Sequence, residues 1–291
     1  MEASGNAITS NGNGCDTRQV SATKIEIAGR TPIVPVTAND VALALILDTG
    51  AERTVLTPAA SERVKAQPPR IAFQRQMQGL VGALSTNEAE LRSFYVGSAA
   101  IAWHRVVVAP VTIPTSRPTP LDGLLGADVL SDFDIDLDLP RNRLALYGKQ
   151  TCPTAAPDWP LPYAAFTTGR SRGEHLFFPV HLDGIELTGF IDTGAQLTAL
   201  STSAARVIGV SAAMLARDPP VTIRGATVGS LSSHVHRFSQ LKVGPEVVRD
   251  PEIAVADIDL RDADIILGID FIGSRRLWLS YGARRLFLSS R

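Results

Sequence analysis

The sequence predicts a mainly β protein with two pseudo-symmetric β-barrel domains and a few short helices. The tetrapeptide Asp-Thr-Gly-Ala occurs twice, starting at Asp48 and at Asp192, and each copy ends an apolar run. The two halves of the chain also align with each other around these motifs. Short runs of valine, isoleucine, leucine and phenylalanine, separated by glycine, proline and asparagine, dominate both halves and are typical of strands.

The first aligned segment predicts a β-hairpin that ends at the aspartate. Residues 35–57, PVTANDVALALILDTGAERTVLT, match residues 179–201, PVHLDGIELTGFIDTGAQLTALS, without a gap. Each copy starts extended, turns through two residues that favour positive φ, and continues as an apolar strand. The predicted turn pairs are Asn39-Asp40 and Asp183-Gly184.

A second aligned segment extends the repeat over most of the chain. LDGLLGADVL at residues 121–130 matches ADIILGIDFI at residues 263–272, and a strand-like segment follows each copy, at 143–147 and 285–289. The copies are 144 residues apart at the aspartates and 142 residues apart at the central glycine of this segment. An offset this constant indicates two copies of one fold.

Helical patterns are brief and follow hydroxyl residues that can cap a helix. Residues 58–66 follow Thr57, and residues 203–208 follow Ser201 and Thr202, so we expect one short helix at each place. The predicted division is a disordered N-terminal arm over 1–24, a first repeat over 25–148, a proline-rich linker over 149–173 and a second repeat over 174–291.

Composition and charge exclude some classes of function. The 291 residues contain 28 Lys plus Arg and 29 Asp plus Glu, and this balance gives no reason to expect nucleic acid as a partner. The longest apolar run, residues 41–47, is too short to cross a bilayer, so we expect no membrane span.

The repeated acid predicts a shared catalytic site. Two pseudo-symmetric copies that face each other bring Asp48 and Asp192 together at a common axis. Two adjacent carboxyls hold one proton between them over a wide pH range. The ionised carboxyl can then take a proton from water while the protonated carboxyl polarises a carbonyl group.

The residues after each aspartate are predicted to support the pair. Glycines bring the backbone close to the carboxylates and offer them amide groups, and threonine hydroxyls can bond to the opposite strand and lock the two loops together. Together with the alanine that follows each glycine, the residues predicted to support the pair are Thr49, Gly50, Ala51, Thr193, Gly194 and Ala195.

The doubled Asp-Thr-Gly-Ala motif, with a hydrophobic-Gly segment after each copy, resembles the aspartic proteases. The alanines Ala51 and Ala195, and the patterns LLGAD and ILGID, resemble the retropepsin-like branch of that family. The resemblance covers residues 25–147 and 174–290 and implies retropepsin-like, acid-protease β-barrel domains. It also implies an aspartic endopeptidase that uses neither cofactor nor metal. Because both copies lie in one chain, it implies a monomer that acts on polypeptide substrates.

The resemblance further implies two glycine-rich hairpin flaps that hold the substrate extended. The matching glycines are Gly79 and Gly82 in MQGLVGALS, and Gly225 and Gly229 in IRGATVGSLS. Ordinary hairpin turns are the alternative interpretation of these segments. Glu52 and its counterpart Gln196 stand where retroviral enzymes carry Asp, so substrate preference is not carried over.

The alanines of the motif predict a mildly acidic to neutral pH optimum. Pepsin-like enzymes usually have Ser or Thr at this position, and its hydroxyl can donate a hydrogen bond to the carboxylate. Ala51 and Ala195 remove that donor, so the pair of carboxyls should keep its proton to higher pH.

Three other interpretations compete with the protease. GRSRG at residues 169–173 matches the nucleophile elbow of serine hydrolases, but an extended run follows Ser171 where that fold needs a helix. His234 and His236 share one face of a predicted strand and could hold a metal, but no third ligand is near in sequence. A catalytically silent, aspartic-protease-like peptide-binding module is the main alternative.

The two cysteines bear on the cellular compartment. Cys15 and Cys152 are candidates for a disulfide between the N-terminal arm and the linker, and two unpaired buried thiols are the alternative. A disulfide would indicate an oxidising compartment, and export is frequent in the family. The first residues show no signal-peptide pattern, which favours the cytoplasm. We expect a periplasmic or secreted protein, with the cytoplasm as the alternative.

Overall fold

The computed structural model describes residues 18–69, 75–78, 83–102, 105–111, 117–152, 156–160, 162–169, 174–225 and 230–290. Five residues named above lie outside these ranges: Cys15, Gly79, Gly82, Ser171 and Gly229. Within the described ranges, none of the helices has the length and apolar character needed to span a membrane.

Strands dominate both halves. The elements of the first half are β1 (Gln19–Lys24), β2 (Glu26–Ala28), β3 (Thr31–Ala38), β4 (Val41–Leu47), β5 (Val55–Leu56), α1 (Pro58–Arg63), β6 (Arg75–Gln78), β7 (Ala83–Glu90), β8 (Phe94–Val96), β9 (Ala99–Ala100), β10 (Arg105–Val108), β11 (Gly123–Leu125), α2 (Ala127–Leu130), β12 (Phe133–Asp138) and β13 (Arg143–Gly148).

The same kinds of element recur in the second half. They are β14 (Tyr163–Thr167), β15 (Phe178–Leu182), β16 (Ile185–Ile191), β17 (Ala199–Ser201), α3 (Thr202–Ile208), α4 (Ala212–Leu215), β18 (Pro220–Arg224), β19 (Ser230–Arg237), β20 (Gln240–Val243), β21 (Glu246–Arg249), β22 (Glu252–Ala256), β23 (Ile265–Leu267), α5 (Ile269–Ile272), β24 (Arg276–Ser280) and β25 (Arg285–Ser289).

The sheets of the two halves have the same topology. In the first half the described strands run in the order β6-β7-β10-β5-β11-β4-β3-β8-β9, with β2 paired to β3. In the second half the order is β18-β19-β22-β17-β23-β16-β15-β20-β21, which matches the first order strand for strand. The prediction of a mainly β chain with two similar domains and a few short helices is therefore confirmed.

A third sheet joins the two halves. Its described strands run in the order β1-β13-β12-β24-β25-β14, and the halves meet where β12 pairs antiparallel with β24. Two segments predicted to be irregular contribute strands to this sheet. Residues 19–24, assigned to the disordered arm, form β1, and residues 163–167, assigned to the linker, form β14. The expectation of irregular chain is wrong for these residues, because each pairs with an edge of the sheet.

The predicted hairpin turns and helix caps are present. Asn39 and Asp40 have φ angles of 47° and 66°, and their counterparts Asp183 and Gly184 have φ angles of 49° and 83°. The Thr57 and Ser201 side chains each accept a hydrogen bond from the first turn of α1 and α3. Helices α2, α4 and α5 were not predicted.

The apolar run before each aspartate forms a strand in the middle of its sheet. β4 pairs antiparallel with β3 and parallel with β11, and its last three residues, Leu45, Ile46 and Leu47, are all buried. Burial on both faces explains why this run is continuously apolar and not alternating. β16 has the same neighbours in the second half, β15 and β23, and it ends at Ile191, directly before Asp192.

Candidate active site

Asp48 stands where the chain leaves strand β4. Its backbone N–H donates to the Leu125 carbonyl oxygen at 3.0 Å, which continues the pairing with β11. The chain then turns back, and the N–H groups of Gly50 and Ala51 donate to Asp48 Oδ1 at 3.0 and 2.9 Å. These two amides orient the carboxyl group.

Asp192 occupies the corresponding place after β16. Its N–H donates to the Leu267 carbonyl oxygen at 3.1 Å, and the N–H groups of Gly194 and Ala195 donate to Asp192 Oδ1 at 2.8 and 3.2 Å. The two loops thus hold their carboxyls by the same set of bonds. This agrees with the repeated sequence of the motif.

A reciprocal network of threonine hydroxyls locks the two loops together. The Thr49 hydroxyl accepts from Thr193 N at 3.1 Å and donates to Ile191 O at 2.8 Å. The Thr193 hydroxyl accepts from Thr49 N at 3.1 Å and donates to Leu47 O at 2.6 Å. Both threonines are buried, so these bonds satisfy four polar groups that water cannot reach.

The two carboxyl groups lie side by side. An ideal Cβ on Gly50 would be only 2.3 Å from Asp192 Oδ2, and one on Gly194 would be only 2.6 Å from Asp48 Cγ. Only glycine lets each loop approach the opposite carboxyl this closely. The Asp48 and Asp192 side chains are therefore adjacent, and both are buried, with 8% and 7% of their surface exposed.

Burial raises the pKa of both carboxyls, but not equally. The pKa of Asp48 is raised well above its ordinary value, first because burial disfavours the charged form and then because the Asp192 charge is adjacent. The pKa of Asp192 is also raised by burial, but the Gly194 amide, the Asp48 hydrogen bond and the charge of His175 oppose that rise. The pair therefore holds one proton between its two carboxyl groups over a range of pH.

A further pair of contacts fixes the base of each loop. Asp128 Oδ1 accepts from Thr54 N and Oγ1 at 2.8 and 2.7 Å, and the Thr54 hydroxyl accepts from Gly126 N at 3.1 Å. Asp270 and Thr198 make the same contacts in the second half. These roles were not predicted, although the acid of the repeated LLGAD and ILGID patterns was the available signal.

His175 also lies at the site and was not predicted. Its Nε2 is 3.1 Å from the Gly50 carbonyl oxygen of the other half, and its ring packs against Phe177 and Phe190. The sequence around it indicated only the start of a strand. Nothing in that pattern distinguished this histidine from the others.

The structure describes only part of the predicted flaps. Strands β6 and β7 form one hairpin, and β18 and β19 form the other. Gly225 is half-buried at the end of β18. The other flap glycines, Gly79, Gly82 and Gly229, lie outside the described residues, so closure of these hairpins over a substrate stays a prediction.

The predicted disulfide also stays a prediction, because Cys15 lies outside the described residues. Cys152 carries no free thiol in the structure, which supports the bond.

The competing motifs find little support. Ser171 lies outside the described residues, and the next element, β15, is a strand where a nucleophile elbow requires a helix. His234 and His236 both lie on strand β19, and His236 Nδ1 is 2.6 Å from Asp218 Oδ2. Among the described residues there is no cluster of three or more His, Cys, Asp and Glu side chains suited to a metal.

Comparison with known proteins agrees with this geometry. A family model described as aspartyl protease matches the chain twice, over residues 34–129 and 178–271. The aspartic proteinase from Irpex lacteus is similar in structure, with a TM-score of 0.53 and 12% sequence identity, over 92% of this chain and 96% of that chain. No curated protein matches the chain in sequence. The structural likeness shows the fold alone, but the family model spans most of both halves, and so the chain belongs to the aspartyl protease family as a retropepsin-like protein of two domains.

Proposed function

We propose that the protein is an aspartic endopeptidase in which Asp48 and Asp192 form the catalytic pair. The observation that carries this proposal is the close approach of two buried carboxyl groups, each of which lies against the glycine of the opposite motif loop. A purely structural role would not require two acids to share a buried site, since each raises the energy of the other's charged form. The raised pKa values give the pair an acid and a base at the same pH.

The first step uses the two carboxyls in different roles. The ionised Asp192 accepts a proton from a water molecule, and the water oxygen forms a bond to the carbonyl carbon of the peptide. The protonated Asp48 gives its proton to the carbonyl oxygen, so that a neutral tetrahedral diol forms. The Gly194 and Ala195 amides hold Asp192 in place through the transfer.

The second step breaks the peptide bond. Asp192, now protonated, gives its proton to the leaving nitrogen, and the C–N bond breaks. Asp48 accepts a proton from one diol oxygen, which becomes the new carboxyl group. Asp192 is then ionised again and Asp48 is protonated again, so the pair is ready for another cycle.

We further propose an extended polypeptide as substrate, held beneath the two hairpins β6–β7 and β18–β19 by strand addition. Both halves of the site come from one chain, and so the active unit is proposed to be a monomer. We also keep the proposal of a periplasmic or secreted location, with the cytoplasm as the alternative. A non-reducing mass measurement of the Cys15–Cys152 link would test it.

The test is cleavage of a peptide library by the wild-type protein and by Asp48→Asn and Asp192→Asn. Asn keeps the side-chain oxygen that accepts the loop amides, so both variants should fold, which circular dichroism checks. We expect pepstatin-sensitive cleavage by the wild type and a loss of about 10³-fold or more in each variant. Asp132→Asn, at an exposed position, is the matched control and should cleave normally.

The result also separates the protease from the silent module. A folded wild-type protein that binds peptides and cleaves none of them would support the binding module and reject the endopeptidase. Cleavage that survives either Asn substitution would place the chemistry elsewhere in the molecule.

A further inference from the structure

We propose that His175 is a positioning residue, whose protonated ring supports the ionised form of Asp192 and extends activity to lower pH. This proposal rests on the proposed endopeptidase function and assigns a further residue to the same site. It concerns a side chain from the second half that reaches the motif loop of the first half.

Contact with Gly50 places the ring beside the carboxyl pair. His175 Nε2 lies 3.1 Å from the Gly50 carbonyl oxygen, so this nitrogen carries a proton and donates it to the carbonyl. The same glycine faces Asp192 from its other side, since a Cβ there would be 2.3 Å from Asp192 Oδ2. A single residue therefore separates the imidazole from the carboxylate.

Aromatic packing holds the ring in this position. The His175 ring stacks on Phe177, with centroids 5.9 Å apart, and tilts against Phe190 at 4.9 Å. Phe190 lies on β16, two residues before Asp192, and both phenylalanines are buried. A charge in such surroundings is screened less than a charge in open water, so a positive ring acts on the carboxyl pair.

His175 breaks the pseudo-symmetry of the site. The same offset of 144 residues, continued beyond the N-terminal end of the aligned segment, places Thr31 opposite His175, and Thr31 accepts a hydrogen bond from Gln196 Nε2 at 3.3 Å. The imidazole therefore has no imidazole counterpart at the matching position of the first half. The effect has the expected direction, because the His175 charge lowers the pKa of Asp192 against the rise caused by burial.

Several of the described charged groups on the segments around the ring are acids. Asp48 and Asp192 lie on the motif loops, and Glu174 precedes His175 in the chain and is exposed. Glu52 follows Gly50 by two residues, and its Oε1 is 2.9 Å from Arg261 Nη1. When protonated, the ring therefore carries its charge close to the carboxyl pair.

The consequence is a specific change in the pH profile. Histidine side chains gain their charge in the mildly acidic range, which is where the acid limb of the profile lies if Asp192 must be ionised. The charged ring keeps Asp192 ionised further into acid. Without it, the acid limb should move to higher pH, while the rate at the optimum should change little.

The experiment compares pH profiles of kcat/KM for the wild type, His175→Gln and His175→Arg. Gln can still donate to the Gly50 carbonyl but carries no charge, so we expect its acid limb to shift upward by about half a unit to one unit. That shift is a loss of about three- to tenfold on the acid side. Arg keeps a positive charge and should retain the wild-type limb. His181→Gln, on β15 and beside Glu186, is the control and should match the wild type.

Two outcomes would overturn the proposal. One is a His175→Gln profile that coincides with the wild type, and the other is an equal shift in His175→Arg, which would point to ring shape and not to charge.

A second readout does not depend on activity. Carbon-13 NMR of labelled aspartate carboxyls follows the titration of the pair in the wild type and in His175→Gln. We expect the lower apparent pKa of the pair to rise in the variant, and coincident titrations would reject the role of His175. If the wild type cleaves no peptide, the proposed function fails while this titration still decides on His175.

Discussion

At the residue scale, Asp48 and Asp192 are identical side chains in unequal surroundings. Each accepts two loop amides, but the Asp48 pKa is raised the more strongly, and Asp192 receives the opposing influence of His175. The motif identified both acids from sequence because the duplication repeats them. The same motif could not reveal the contact between His175 and Gly50, since that contact joins the two halves of the chain.

The first residue-scale prediction concerns the pH optimum. In the proposed mechanism one carboxyl must be ionised and the other protonated, so activity rises with the first ionisation of the pair and falls with the second. Burial raises both pKa values, which moves both limbs above the range of an ordinary carboxyl. We expect kcat/KM to peak in the mildly acidic to neutral range. A peak found only at strongly acidic pH would contradict this account.

The second prediction concerns Gly50→Ala. The added methyl would stand 2.3 Å from Asp192 Oδ2, so the carboxyl or the loop must move. Since misplacement by about 1 Å can reduce a rate by about 100-fold, we expect kcat to fall by at least that factor. Gly148→Ala is the control, because a Cβ there meets nothing within 4 Å. An unchanged kcat in Gly50→Ala would show that the close approach of loop and carboxyl is unnecessary.

At the element scale, the hairpins β3–β4 and β15–β16 deliver the acids, and their turns were predictable from two residues each. The hydroxyl bonds between the loops were also expected from the repeated threonines. The support given by Asp128 to Thr54, and by Asp270 to Thr198, was not expected. These partners lie more than 70 residues apart, and only the folded sheet brings β11 and β5 together.

The prediction at this scale concerns the threonine lock. Thr193→Val keeps the side-chain shape but removes the acceptor of Thr49 N and the donor to Leu47 O. Each buried group left without a partner costs about 1–3 kcal/mol, so the free energy of unfolding should fall by at least that amount. Urea denaturation measures the change.

The matched control for the lock is Thr23→Val, a strand residue whose hydroxyl makes only a long bond at the surface. It should change stability by no more than about 0.5 kcal/mol. If Thr193→Val were equally mild, the reciprocal bonds would not be what holds the loops together.

At the scale of the whole molecule, the shared sheet keeps the two halves in register. Strand β12 pairs with β24, and Arg276 of the second half bonds to the buried Asp136 of the first. The duplication predicted that the halves face each other. It could not predict this sheet, because β1 and β14 come from segments with little apolar pattern and pair with distant strands.

The shared sheet contains a buried acid that predicts how stability depends on pH. Burial raises the pKa of Asp134 to about 6, although Ser280 Oγ and the Gln150 N–H donate to it. The folded state binds the proton of the Asp134 carboxyl more tightly than the unfolded state does. The contribution of this protonated carboxyl to the free energy of unfolding is therefore complete below about pH 4. It is lost as the pH rises through 6, and the total loss is about 2–3 kcal/mol.

Asp134→Asn tests this prediction, because it removes the titration and keeps a side-chain oxygen as acceptor. The difference in unfolding free energy between the variant and the wild type should move in favour of the variant by about 2–3 kcal/mol between pH 4 and pH 7. Denaturation curves across this range provide the measurement. A difference that stays constant with pH would show that Asp134 does not titrate in the folded protein.

The central claim is that the two halves place Asp48 and Asp192 in a single catalytic unit. The most direct measurement compares kcat/KM for the wild type, Asp48→Asn, Asp192→Asn and the double variant on one peptide. Residues that act as a unit are strongly non-additive, so we expect each single substitution to lose about as much activity as the double one. Losses that simply add, or near wild-type activity in either single variant, would contradict the account.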